Sequence, residues 1–179
     1  FSMEALEVSK GSMPAMSNAR TGDMNEEEIS QCLLDIASWL QSKAGAIGAD
    51  YCAVAGANEP ALAQISAAAP ETLKMCLAAH DGGMPLYDFT ALSCEQIGQA
   101  TQEGRSSSKW QDDMVPVARN PEGDLLVVHA KGVSTWSGED GLGSVEAVSL
   151  AAYLEGYRNK MLGGHVEYVE DCGIMELST

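Results

Sequence analysis

The chain has 179 residues, 26 acidic and 10 basic, giving a formal net charge of -16, and 45% of its side chains are hydrophobic. Such a length and apolar fraction suit one globular domain with a tail and exclude a disordered chain. The negative surface argues against nucleic acid, whose phosphates need Lys and Arg, and against anionic lipid headgroups; it favours a basic protein partner.

Residues 1–24 carry Ser, Gly, Met and Pro14 without lasting periodicity, and read as an extended N-terminal tail that cannot order itself by burial. Phe1, Met3, Leu6, Met13 and Met16 are its candidate anchors on another protein, the alternative being that the tail packs back on its own domain. Residues 25–179 read as the single domain. Its first helix has Asn25 as cap, Glu28 completing a capping box, and Ile29, Cys32, Leu33, Ile36 and Leu40 at helical spacing, with Lys43 and Gly45 at the stop. Residues 44–69 are rich in Ala and Gly. Residues 51–54 suit a short strand, and Asn58-Glu59-Pro60 opens a helix running to Ala69. Pro70-Glu71 starts another helix with Leu73, Cys76, Leu77 and His80 on one face, stopped by Asp81-Gly82-Gly83.

Residues 85–90 read as loop or short strand. Ser93 and Gln96 form a second capping box, heading a helix to about Gln102, and residues 104–109 (GRSSSK) read as loop. Residues 114–119 and 125–131 form a hairpin across Asn120-Pro121-Glu122-Gly123-Asp124. Pro116 lacks a ladder donor and belongs at an edge or bulge, whereas the apolar run 125–128 suits a central strand. Residues 133–136 predict a third strand, and 137–143 (SGEDGLG) an exposed acidic loop. A last helix begins near Ser149 with Leu150, Tyr153, Leu154, Tyr157 and Met161 on its apolar face and stops at Gly163-Gly164; a final strand follows over 166–170, then a short tail. The order predicts an α+β fold with a mostly antiparallel sheet packed with helices.

Catalytic signatures are missing from the sequence. It contains no GxSxG elbow, no Walker lysine loop and no GxGxxG. His80, His129 and His165 are too dispersed for a metal site and read as structural, with His129 beyond its strand and facing solvent. Asp140 and Glu146 are only loosely spaced like calcium ligands. Asp112 and Asp113 read as surface carboxylates rather than an acid–base pair. Cys32, Cys52, Cys76, Cys94 and Cys172 form no CxxC and no even framework, which predicts free thiols in a reducing compartment. The absence of an Asn-x-Ser/Thr acceptor agrees with a chain that is not secreted. No uncharged stretch reaches the roughly 18 residues of a membrane span. Trp136 with Glu139 and Asp140 suits a contact loop for a basic partner.

Residues 110–124 (WQDDMVPVARNPEGD) resemble the SUKH superfamily, in its cell-wall-assembly-regulator branch: Trp110 precedes the Pro116–Ala118 strand, and Gly123-Asp124 opens the apolar strand 125–128. Residues 70–83 resemble the family's helix running into a glycine turn, 86–97 its segment of aromatics and acid followed by Leu-Ser-x-Glu-x-Ile, and 149–162 its closing helix, so the likeness spans about 70–170. Ala69 stands at the family's apolar position before the Pro, and the Ala-rich segment and the tail lie outside the pattern. The resemblance implies an α+β domain that binds proteins without catalysis, with no cofactor or catalytic residue to transfer. It gives Trp110 a place under the hairpin, Pro116 at an edge, and Asp124 as acceptor of turn amides, all structural.

These readings predict a non-catalytic scaffold or peripheral subunit that joins a larger assembly through its tail and acidic face. An organellar photosynthetic or respiratory membrane complex is the host expected for it, in a cytoplasmic, stromal or matrix setting. A chain beginning at Phe1 is compatible with a targeting peptide removed ahead of it. The alternative is an immunity or regulatory protein that neutralises a basic toxin or enzyme.

Overall fold

The computed structural model describes residues 24–178. Helix α1 (Glu26–Lys43) begins on a capping box in which Asn25 Oδ1 accepts from the Glu28 amide while Glu28 Oε1 accepts from the Asn25 amide, each at 2.9 Å. Three glutamates in its first turn sit at the positive end of the helix dipole. Ile29, Cys32, Leu33, Ile36 and Leu40 are buried along one stripe, as their spacing predicts.

The Ala-rich segment departs from the sequence reading. Residues 51–54 are not a strand: Gly45–Ala53 forms helix α2, tightly packed on α1. A Cβ at Gly48 would lie 1.9 Å from the Leu40 carbonyl oxygen, so small residues here serve close helix approach. Helix α3 (Glu59–Ala63) is capped by Asn58 with Pro60 in its first turn, as read, but ends well short of Ala69 and gives way to turns. Its five residues bury no side chain fully, whereas Ile65 and Ala69 beyond it are buried in the core, so tertiary contacts override the helix propensity of the Ala-rich run. Helix α4 (Glu71–Ala79) ends where His80 turns extended and Gly82 and Gly83 take positive φ.

Two short strands, β1 (Pro85–Leu86) and β2 (Phe89–Ala91), start the main sheet. Helix α5 (Cys94–Arg105) has the predicted Ser93–Gln96 capping box and runs past Gln102, so Gly104 and Arg105 are helical rather than loop. Strands β3 (Val115–Arg119), β4 (Leu125–His129), β5 (Gly132–Ser137) and β6 (Gly141–Ala147) complete an antiparallel six-stranded meander in simple chain order. Leu125, Leu126 and Val127 are buried because β4 lies between β3 and β5. Pro116 pairs with Val127 beside a register shift, and β2 reaches only Ala118 and Arg119; the proline thus sits at a bulge, beyond the end of the short neighbouring strand.

The segment 137–143 is a tight turn over 138–140 followed by β6, not a long loop. Gly141, at φ 78°, lets the chain reverse so early. Helix α6 (Leu150–Leu162), capped by Ser149, buries Leu150, Leu154, Tyr157 and Met161 against the rest. Strand β7 (Val166–Val169) then pairs with β8 (Gly173–Glu176), a strand where the sequence reading has a tail. Its signal is the short turn with Asp171 at φ 69° and Gly173 at φ 103°. The result is an α+β domain with an antiparallel sheet, a helical layer and a separate two-stranded ribbon.

Candidate interaction surface

Several of the residues with potential for chemistry are tied into structure. His80 stacks on Tyr51 with ring centroids 4.3 Å apart, and its Nδ1 donates to the Val54 carbonyl at 2.9 Å. His129 is the last residue of β4, half-buried rather than solvent-facing. Its Nδ1 accepts from the Lys131 amide, which leaves Nε2 to donate to the buried Ser134 hydroxyl at 2.9 Å. His165 lies exposed at the start of the ribbon. Asp113 accepts from the Ala130 amide at 2.8 Å and so ties the chain before β3 to the β4–β5 turn, whereas Asp112 is exposed. Asp140 stands in the β5–β6 turn and Glu146 on the strand beyond it. Among the described residues no three His, Cys, Asp or Glu side chains gather as metal ligands.

All five cysteines are free. Burial pushes the Cys32 thiol up to about 11 and the Cys76 thiol up to about 12, holding both protonated and unreactive near neutrality. Cys76 and His80 line a cavity of about 30 Å³ with Leu73, Leu77, Met84 and Leu154. That volume is near the size of one water, and its walls are mostly apolar. Leu73, Cys76, Leu77 and His80, predicted to share one face of α4, thus line the same small apolar gap.

The contact loop proves different in its parts. Trp136 is only 7% exposed and meets Trp110 edge-on at 5.1 Å, so it is core and not a contact residue. Trp110 lies between β5 and α5, where it covers Gly104. Strand alternation decides this: Trp136 faces inward from β5. Glu139 and Asp140 do remain exposed at the turn. Lys109 Nζ donates to the Glu139 carbonyl and Ser137 Oγ accepts from the Asp140 amide at 2.9 Å, which fixes the turn's shape. At the β3–β4 turn the acceptor is Asn120 Oδ1, taking the Asp124 amide at 2.8 Å; the role expected of the Asp124 carboxylate falls to Asn120. The anchors Phe1, Met3, Leu6, Met13 and Met16 lie outside the described residues.

A second acidic region forms where α6, β6, β8 and the β1–β2 turn meet, a junction the sequence reading does not assemble. Tyr87 holds a positive φ of 61° in the two-residue β1–β2 turn, a place that usually asks for Gly. Its ring packs on Tyr157 at 5.0 Å and under Lys160 at 5.8 Å. Tyr157 donates to the Pro85 carbonyl at 2.8 Å, and Lys160 pairs with Glu176. Burial raises the Tyr153 phenol, and Glu146, Asp88 and Glu176 add to the shift. Lys160 is held charged chiefly by its bond to Glu176. Here Asp88, Glu146 and Glu176 stand exposed around the half-buried Tyr87 and Tyr153 and the buried Tyr157.

These features define the class no further than an α+β domain with a strongly acidic exterior. No family model matches the chain, and no curated protein matches it. Among the described residues no helix is long and apolar enough to cross a membrane.

Proposed function

We propose that this protein is a non-catalytic binding module, a scaffold or peripheral subunit that docks onto a basic protein surface. The disposition of charge carries the reading. Glu26, Glu27, Glu122, Glu139, Asp140 and Glu146 stand exposed on helix starts, turns and an edge strand, positions fixed by the backbone. With 26 acids against 10 basic residues, internal pairing can neutralise only a minority of the carboxylates. Such a surface speeds encounter with a basic partner and repels another copy of itself. The SUKH resemblance belongs to the same proposal: the segments that carry it fall in order on α4, β1–β2 with α5, β3–β4 and α6.

Purification under gentle, low-salt conditions followed by mass spectrometry tests the reading. A stoichiometric basic protein should co-elute and be released as ionic strength rises past about 0.5 M, where screening shortens to a few ångströms. Loss of that protein's enzymatic activity in the complex would assign the neutralising rather than the scaffolding role. Repeated recovery of the chain alone at low salt would overturn the proposal.

A further inference from the structure

Among the described residues the β7–β8 ribbon buries one face and leaves the other partly exposed. Val166 and Ile174 are 4% and 2% exposed, and Tyr168 packs on the core. Alternation along the strands therefore turns Glu167, Val169, Met175 and Leu177 outward. Glu167 pairs with Met175 across the ribbon, and the Leu177 amide extends the ladder by donating to the His165 carbonyl at 2.9 Å. Met175 is 44% exposed, Leu177 41%, and Leu162, at the helix end leading into β7, 62%. Leu34 on α1, Val145 on β6 and Val148 in the loop after β6 are also exposed, and single exposed apolar residues need no explanation. Met175 and Leu177 stand two residues apart on one outward face, and Leu162 precedes the ribbon in the chain.

The rim of this face is acidic. Residues 165–178 contain Glu167, Glu170 and Asp171 and neither Lys nor Arg; Glu176 belongs to the other face, where it pairs with Lys160. Two copies meeting here would set these carboxylates against each other, each chain bearing a net charge of -16, and an anionic bilayer would be repelled in the same way. Charge thus selects the occupant. Resting on the binding-module reading above, we infer that the outer face of the β7–β8 ribbon is the docking site, and that its occupant is a protein segment in which aliphatic and basic residues alternate. The aliphatic side chains cover Met175, Leu177 and Leu162, while the basic ones meet Glu167 and Glu170.

The test uses the full chain with two short synthetic peptides, one alternating lysine with leucine and one alternating lysine with serine. Binding is read by fluorescence anisotropy and located by methionine-methyl NMR. The inference expects the leucine peptide to bind more tightly and to shift the Met175 methyl while leaving Met75 on α4 unmoved. The double variant Met175→Ser/Leu177→Ser should weaken that peptide about tenfold or more, the scale of two lost apolar contacts. Leu34→Ser, on α1, should change nothing. The substituted residues lie on the surface, and an unchanged thermal midpoint verifies that each variant folds. Equal affinity for both peptides, or a shift at Met75 instead of Met175, would sink the ribbon site yet leave a basic partner standing. A Met175 shift that follows protein concentration without peptide would mean self-association and also overturn it. Binding of neither peptide at low salt would count against both this site and the broader reading.

Discussion

Two glycines in one helix show how far a residue's effect depends on what lies opposite it. Gly98 is interior to α5 and Gly104 is its next-to-last residue; inside a helix Gly is disfavoured against Ala by roughly 0.5–1 kcal/mol. A Cβ at Gly98 meets nothing within 4 Å, whereas at Gly104 it would lie 2.4 Å from the Trp110 ring. Gly98→Ala should therefore stabilise the protein by about 0.5–1 kcal/mol, and Gly104→Ala should destabilise it by about 1–3 kcal/mol through overpacking. Urea unfolding of the two variants measures both; equal signs would mean that Trp110 does not rest on the helix. The sequence shows the glycines and the tryptophan but not the contact, because Trp110 lies beyond the helix end and its ring meets Trp136 on β5. The same lesson applies to Trp136, whose neighbours Glu139 and Asp140 suggest an exposed aromatic until strand alternation turns it inward.

At the scale of elements, capping and periodicity make α1, α4, α5 and α6 legible, and turn chemistry does the same for β3–β4. The elements misread are those with weak local signals. Helix α2 has almost no amphipathic pattern and is held by close packing on α1; β6 hides among glycines; β8 is short and half exposed. A buried bond from Tyr157 to the Pro85 carbonyl joins α6 to β1. Tyr157→Phe keeps the ring packing and removes the donor, leaving that carbonyl buried without its partner. The expected cost is about 1–2 kcal/mol, with unchanged secondary structure by circular dichroism. A neutral result would show that water reaches Pro85 once the hydroxyl is gone.

For the molecule as a whole, buried thiols and phenols set the alkaline limit. Cys32 and Cys76 have folded-state values of about 11 and about 12 against an ordinary 9.0, because burial disfavours the thiolate. Tyr51 and Tyr157 are shifted the same way for the same reason. A raised value means that the folded state keeps a proton the unfolded chain releases. The stabilising contribution is complete below pH 9 and falls as pH rises from there toward the folded values, by up to about 1.4 kcal/mol per pH unit for each thiol. Unfolding free energies measured from about pH 8 to about pH 10.5 should decline with that sign, and Cys32→Ala should make the decline shallower. A flat profile would place these thiols in contact with water.

Composition, capping boxes and the two hydrophobic periods were enough to determine the α+β class, the strongest helices, the central strand and the negative exterior, because each rests on interactions within a few residues or on a sum over the chain. Which aromatic faces inward, which glycine is filled by a neighbour, where the short β8 pairs, and which apolar side chains remain uncovered were decided only by the tertiary structure. Those outcomes depend on contacts between segments far apart in sequence, whose direction no local pattern encodes.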